Sequence, residues 1–367
     1  MRENYGGNWT ALFRIRPGMP VPDFLKSENL YIFQNSAGYD GQVYHLIAHD
    51  PWMRKGSFQA IGGAPFRYQR IFVPALAWAL AFGNDAWIHA SYFAVMLGFV
   101  FLGVYWTSQF ALQIGRSHLW GLGFLLAPAT IVSLDRMTAD IALAAFAAGF
   151  AFYAFDTEAR PSWKLFAILT CAALTRETAL PMIAAYAIYL ATRKRLALAA
   201  LTVATAIPAL LWFLHLSHLG RSDAPDYISP IPLAGFFDQL AHPMQYTLSP
   251  FKTVAATALD YAALLGIAIA LALTIRLAIQ RRWDPRACAI YALAIALMLV
   301  RSRSVWEDVY AYGRVFTPFL LLLALDELRE NPWLAAIPIL LADARISLNL
   351  VTQASGILDG LLRPLLK

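Results

Sequence analysis

Charge is scarce in this chain. Of 367 residues, only 14% are Asp, Glu, Lys or Arg, and 59% are hydrophobic. Soluble domains carry about 25% charged residues. A water-soluble core for this much apolar surface is excluded, and a polytopic membrane protein is expected. Cysteine is scarce too. Cys171 and Cys288 both lie in apolar runs, which fits small core residues and argues against a disulfide framework. The sequence shows no repeat of fixed period, no low-complexity tract and no signal-peptide pattern. The net charge is +6. In a membrane protein that excess is first a topology signal and only then a hint of anionic ligands; no nucleic-acid partner is expected.

Apolar runs are what the chain has instead. Spans are expected near 87–112, 119–134, 138–155, 163–175, 178–192, 196–216, 254–280, 287–300, 314–327 and 333–352, about ten in all, each needing roughly 20 apolar residues. The fold class is therefore an all-α transmembrane helix bundle. Residues 1–86 form an extramembrane region with an interfacial helix near 69–83, residues 87–353 the bundle, and residues 354–367 a C-terminal tail. A short helix over about 41–49 is expected, capped by Asp40 and ended by Pro51. A long loop over 217–253 carries Pro225, Pro230, Pro232, Pro243 and Pro250. Loop charge orients the bundle. Arg193-Lys194-Arg195 and Arg281-Arg282 fall on one face, cytoplasmic by the positive-inside rule. The mixed acid-and-arginine loops 134–140, 175–178 and 301–314 fall on the other, with residues 1–86.

That second face collects the chemistry. Segment 38–51, GYDGQVYHLIAHDP, holds Asp40, a candidate general base or helix cap, with Tyr39, Gln42 and Tyr44 around it. Asp50 is a second acid or a turn residue before Pro51. His45 and His49 share a helix face at i, i+4, a spacing that can bind zinc. The metalloprotease pattern needs Glu directly after the first histidine, and Leu46 stands there; packing or anionic head-group binding is favoured for His45, and no metal site is assigned. Arg67 and Arg70 suit either lipid snorkelling or a phosphate clamp. Asp135, Arg136 and Asp140 separate two apolar runs, as do Arg176 and Glu177. Ionisable groups at such breaks face cavities or pair with one another. Tyr312 and Arg314 open a late helix. No spacing fixes a metal, though Mg²⁺ or Mn²⁺ at Asp40, Asp50 or Asp140 is conceivable.

Taken in order, a Tyr-Asp-Gly-Gln-x-Tyr loop, an Arg-Tyr-x-Arg-Ile-x-x-Pro interfacial helix, an Asp-Arg-x-Thr-x-Asp break, an Arg-Glu-Thr break and a late Tyr-Gly-Arg resemble the GT-C superfamily of integral-membrane glycosyltransferases. The resemblance covers about residues 30–320. It is nearest to bacterial members of cell-surface glycopolymer assembly, distantly similar to polyprenyl-phosphate-mannose-dependent mannosyltransferases. It implies a polyprenyl-phosphate sugar donor, a glycan, lipid or protein acceptor, and an active site on the extracytoplasmic side of a bacterial inner membrane. It also implies Asp40 as catalytic base and Arg67, Arg70, Arg176 and Arg314 as donor-phosphate ligands. The family pattern places a membrane helix before the acidic loop, and residues 1 to about 68 hold no such run. A transporter or flippase of a lipid-linked or anionic substrate, and a non-catalytic scaffold, are the competing expectations.

Overall fold

The computed structural model describes residues 2–155, 162–220, 227–247 and 249–362. The expected cytoplasmic turn around 156–161, the stretch 221–226 of the long outer loop with Pro225, and the tail residues 363–367 lie outside the described residues. The described chain is helical. Its β pairing is confined to two isolated bridges, Ile15 with Ile32 and Ile228 with Val300. Seven helices concern the site: α1 (Asp40–His49), α2 (Phe72–Leu80), α3 (Ile88–Gln113), α4 (Pro128–Arg136), α5 (Asp140–Tyr153), α6 (Pro285–Leu299) and α7 (Val309–Glu327).

Helix occupies every expected apolar segment, but among the described residues only five helices are long and apolar enough to cross a membrane. These are Asp85–Gln113, Leu196–Leu219, Pro250–Ile279, Val309–Glu327 and Pro332–Leu362. The expected span near 119–134 is a pair, His118–Leu126 and α4, bent by 54°, which makes a sixth if counted as one. The segments α5, Trp163–Thr175, Leu180–Thr192 and α6 have 14, 13, 13 and 15 residues. At about 1.5 Å per residue they reach about 20 Å, short of the roughly 30 Å hydrocarbon core.

The charged breaks cut these helices short. Pro128 starts α4, which ends when Met137 turns left-handed at φ 49°, and α5 begins at Asp140. Trp163–Thr175 stops at the extended Arg176, and Pro181 lies in the first turn of the next helix.

The bundle is arranged around α7. The apolar stretch of α7 is 94% buried, against 28% for Leu196–Leu219. α7 packs on α4, α5, α6 and Pro332–Leu362. Its neighbour α5 is fully buried over Asp140–Ala151 and rich in alanine, which lets backbones approach closely. The outer helices turn Phe101, Leu201, Leu211, Val254, Ile275 and their like outward, as helices in lipid do. The helix expected at the interface near 69–83 is formed as α2. Residues 2–68 lie against the end of the bundle where the charged breaks meet.

α1 docks there by backbone contact. A Cβ on Gly41 would collide with the Arg136 carbonyl oxygen, so glycine is required at that crossing. The expected Asp40 cap is not made. Tyr39 is the cap residue and gives no side-chain bond, and Asp40 is the first residue inside the helix. Its carboxylate still suits the positive end of the helix dipole, and both oxygens are left for other partners.

Candidate functional site

A cavity of about 700 Å³ opens where α1, the segment around Arg67 and Arg70, the Arg176 break, α6 and α7 meet. One end is charged: Asp40, Arg67, Arg70, Arg176, Glu177, Asp308 and Arg314 line it. The other is apolar, with Leu293, Leu297, Val315, Phe316 and Phe319 from α6 and α7.

Asp40 is the junction of the charged end. Its Oδ1 pairs with Arg67 Nη1, and its Oδ2 accepts from Arg314 Nη2 at 2.5 Å. Arg70 Nη1 stands 3.9 Å from Oδ2. Arg314 also donates to Asp140 Oδ2 at 3.0 Å, and Asp140 Oδ1 pairs with Arg176. Arg70 is held at 2.8 and 3.2 Å by Glu177 and donates to the Tyr44 hydroxyl at 3.4 Å. The Arg314 guanidinium lies 4.8 Å over the Tyr39 ring. Four guanidiniums and three carboxylates, Asp40, Asp140 and Glu177, thus form one connected cluster of pairs, and Asp308 stands outside those pairs.

These pairings set the proton affinities. Burial alone would raise the Asp40 carboxyl. Arg314, then Arg67 and Arg70, outweigh burial and hold it well below the usual carboxylate range. Glu177 is likewise pushed up by burial but pulled down to about 2 by Arg70 and Arg176. Asp308 differs. Its Oδ1 caps α7 by accepting from Tyr310 N at 3.0 Å, and burial leaves its carboxyl raised despite that bond and the more distant arginines. The cavity therefore holds carboxylates of opposite character, Asp40 and Glu177 lowered by their arginines and Asp308 raised by burial.

Of the residues expected from sequence, Tyr39, Asp40, Gln42, Arg67, Arg70, Arg176, Glu177 and Arg314 line the cavity. Tyr44 and Asp140 stand behind it and brace Arg70, Arg176 and Arg314. Four do not reach it. Asp50 is buried and accepts from the backbone amides of Arg54, Lys55 and Ser57 at 2.6, 2.8 and 3.2 Å, so it shapes a turn. His45 is buried among His49, His89 and Glu28, outside the cavity lining. Asp135 binds Gln353 Nε2 at 2.7 Å and Tyr310 Oη at 3.3 Å and pairs with Arg136. Tyr312 is buried with its ring against Trp306. The three carboxylates considered for Mg²⁺ or Mn²⁺ do not converge: Asp50 is spent in its turn, and Arg314 stands between Asp40 and Asp140.

Phe66 and Tyr227 line the cavity without having been singled out, and so does Asp308, which the sequence offered only as one member of the charged loop 301–314. Asp308 had a readable signal, a helix-capping acid before the Tyr-Ala-Tyr-Gly-Arg that opens α7. Comparisons of the chain with models of protein families, with curated proteins and with solved structures found no match.

Proposed function

We propose that this chain is a membrane glycosyltransferase of the GT-C kind, moving a sugar from a polyprenyl-phosphate donor to an acceptor at the extracytoplasmic face of a bacterial inner membrane. One observation carries the reading. The cavity is amphiphilic, with a cluster of arginines around Asp40 at one end and an apolar slot between α6 and α7 at the other. A phosphate on a hydrocarbon chain has that same division. The short helices and charged breaks also fit a bundle whose irregular backbone lines a cavity.

In this mechanism the donor phosphate takes guanidinium contacts now held by Asp40. Arg67, the more exposed of the two clamping arginines, turns to the phosphate and stabilises the leaving group. One Asp40 oxygen is released and its proton affinity rises. It then accepts the proton of the acceptor hydroxyl as that oxygen attacks the anomeric carbon from the side opposite the phosphate, inverting the centre. General-base assistance of this kind is worth about 10²–10⁴-fold. Asp308 is a second candidate for the same role, because it lines the cavity outside the arginine pairs and its carboxyl is raised by burial.

The test is sugar transfer in proteoliposomes with a panel of labelled polyprenyl-phosphate sugars and a membrane extract as acceptor source. Consumption of one donor by wild type, reduced at least 100-fold in Asp40→Asn and near wild-type in Asp308→Asn, supports Asp40 as base; the reverse pattern transfers the role to Asp308. Flipping of the same lipids with no transfer would replace the enzyme by a transporter.

A further inference from the structure

Behind the cavity, on the far side of α1, four side chains point their donor atoms at one spot. They are Glu28 from the N-terminal segment, His45 and His49 from α1, and His89 from the start of α3. One donor atom from each lies within 4.8 Å of every other. His89 Nε2 is 3.4 Å and His45 Nε2 3.7 Å from Glu28 Oε2; His49 Nε2 is 3.6 Å from Glu28 Oε1. His45 and His89 approach each other at 2.8 Å through the same ring nitrogens.

Ordinary packing does not account for this arrangement. A histidine cluster that is only structural ends with its polar atoms hydrogen-bonded. Here His49 Nε2 and Glu28 Oε2 are both buried, aimed into the cluster, and without a hydrogen-bond partner. The donor separations, from the 2.8 Å hydrogen-bond contact of His45 with His89 to at most 4.8 Å, bracket the spacing of a tetrahedral ion, whose metal–ligand bonds of about 2.0–2.1 Å place neighbouring donors about 3.3 Å apart. The outer ring of contacts fits as well. The other ring nitrogen of His49, Nδ1, lies 2.9 Å from Asp85 Oδ1, and Lys55 Nζ holds both Asp85 oxygens at 2.8 Å. A carboxylate on the remote nitrogen is how metal-bound histidines are oriented. A second cavity of about 720 Å³, lined by Glu28, Asp85 and His89, gives an ion a way in.

We propose that Glu28, His45, His49 and His89 form a zinc site. Three imidazoles and one carboxylate suit Zn²⁺ better than Mg²⁺ or Ca²⁺, which take oxygen ligands. With four protein ligands the site is closed and structural. It ties the N-terminal segment, α1 and α3 together, and α1 carries Asp40 at its other end. The sequence spacing that lacked a glutamate after His45 is completed from two distant segments.

The experiment uses the full chain in detergent, without a polyhistidine tag, loaded with Zn²⁺ and exchanged into metal-free buffer. Elemental analysis is expected to find about one zinc per chain, and X-ray absorption at the zinc edge is expected to show three imidazoles with one oxygen ligand. Glu28→Gln and His89→Gln, at the half-buried ligands, are expected to lose the zinc. Asp85→Asn is expected to weaken it about 10–100-fold. A chelator should lower the melting temperature of wild type but not of Glu28→Gln. Folded wild type that retains no zinc would overturn the proposal, as would zinc retained in full by both ligand variants or an absorption spectrum without imidazole. The wild-type occupancy and spectrum decide the matter even if a variant fails to fold.

Discussion

Asp40 has two partners where a free base has none, and its pH behaviour follows from that. Its carboxyl is depressed by Arg314, Arg67 and Arg70, so it is ionised throughout the working range of the free protein. The stability it contributes is in full force above the unfolded carboxyl value of about 3.9 and is lost only as pH falls through its depressed folded value. If the chain transfers sugar as proposed, the profile of kcat/KM, which reports the free enzyme, should therefore show no acid limb from Asp40 between pH 5 and 8. The profile of kcat reports the loaded enzyme. Once a phosphate shares the guanidinium charge, the Asp40 carboxyl rises, and an acid limb should appear there that Asp40→Asn abolishes. An acid limb in kcat/KM that disappears in Asp308→Asn instead would assign the base to Asp308. At the adjacent residue, Gly41→Ala places a methyl group against the Arg136 carbonyl and pushes the start of α1 away from α4. Transfer should fall at least tenfold, with the Asp40–Arg314 pairing lost. The variant is checked by measuring turnover beside the melting temperature, since a general loss of folding would lower both.

At the scale of elements, the breaks were legible and the partners across them were not. A charged pair between two apolar runs, as at Asp135-Arg136 and Arg176-Glu177, reads as a helix interruption because lipid tolerates charge only where it is paired or faces a cavity. The structure ends helices at both. The α1 helix was legible to within a residue, but the role of Asp40 in it was not, because a cap and a first-turn acid occupy adjacent positions and only geometry separates them. Asp50 shows the same limit. Asp-Pro reads equally as a turn or as an active-site acid, and three backbone amides decide for the turn. Glu28 and His89 carried no signal at all, since their value lies in which distant segment they meet. The turn reading makes a clean prediction. Asp50→Ala leaves the Arg54, Lys55 and Ser57 amides without their acceptor, at a cost of about 3 kcal/mol. The melting temperature should drop markedly while the KM for the donor, measured on the folded fraction, stays unchanged. A changed KM at unchanged stability would return Asp50 to the site.

On the scale of the molecule, the chain turns large apolar side chains outward and buries Arg70, Asp140, Arg176 and Arg314, and the cavity is where the two regimes meet. Composition made the membrane bundle legible. The number of full-length helices was not, because hydropathy cannot tell a crossing helix from a short one stopped by a charged break. The shape of the cavity lay beyond the sequence altogether. Its apolar slot is made by α6 and α7, which are joined through an irregular segment holding Ser302 and the short helix Arg303–Trp306. If the slot receives the hydrocarbon of the donor, filling it should act on the tail and not on the chemistry. Ala296 lines the slot from α6 and is only partly buried, so Ala296→Trp adds bulk there without opening the core or touching an arginine. The KM for a long-chain donor should rise about tenfold, the equivalent of about 1.4 kcal/mol of lost binding, with kcat little changed. A short-chain donor analogue, whose tail ends before the slot, should be used by the variant and by wild type alike. Equal impairment with both donors would mean that the substitution disturbs the charged end, and no impairment with either would mean that the tail lies elsewhere, leaving the arginine cluster around Asp40 to bind a phosphate whose hydrocarbon remains in the bilayer.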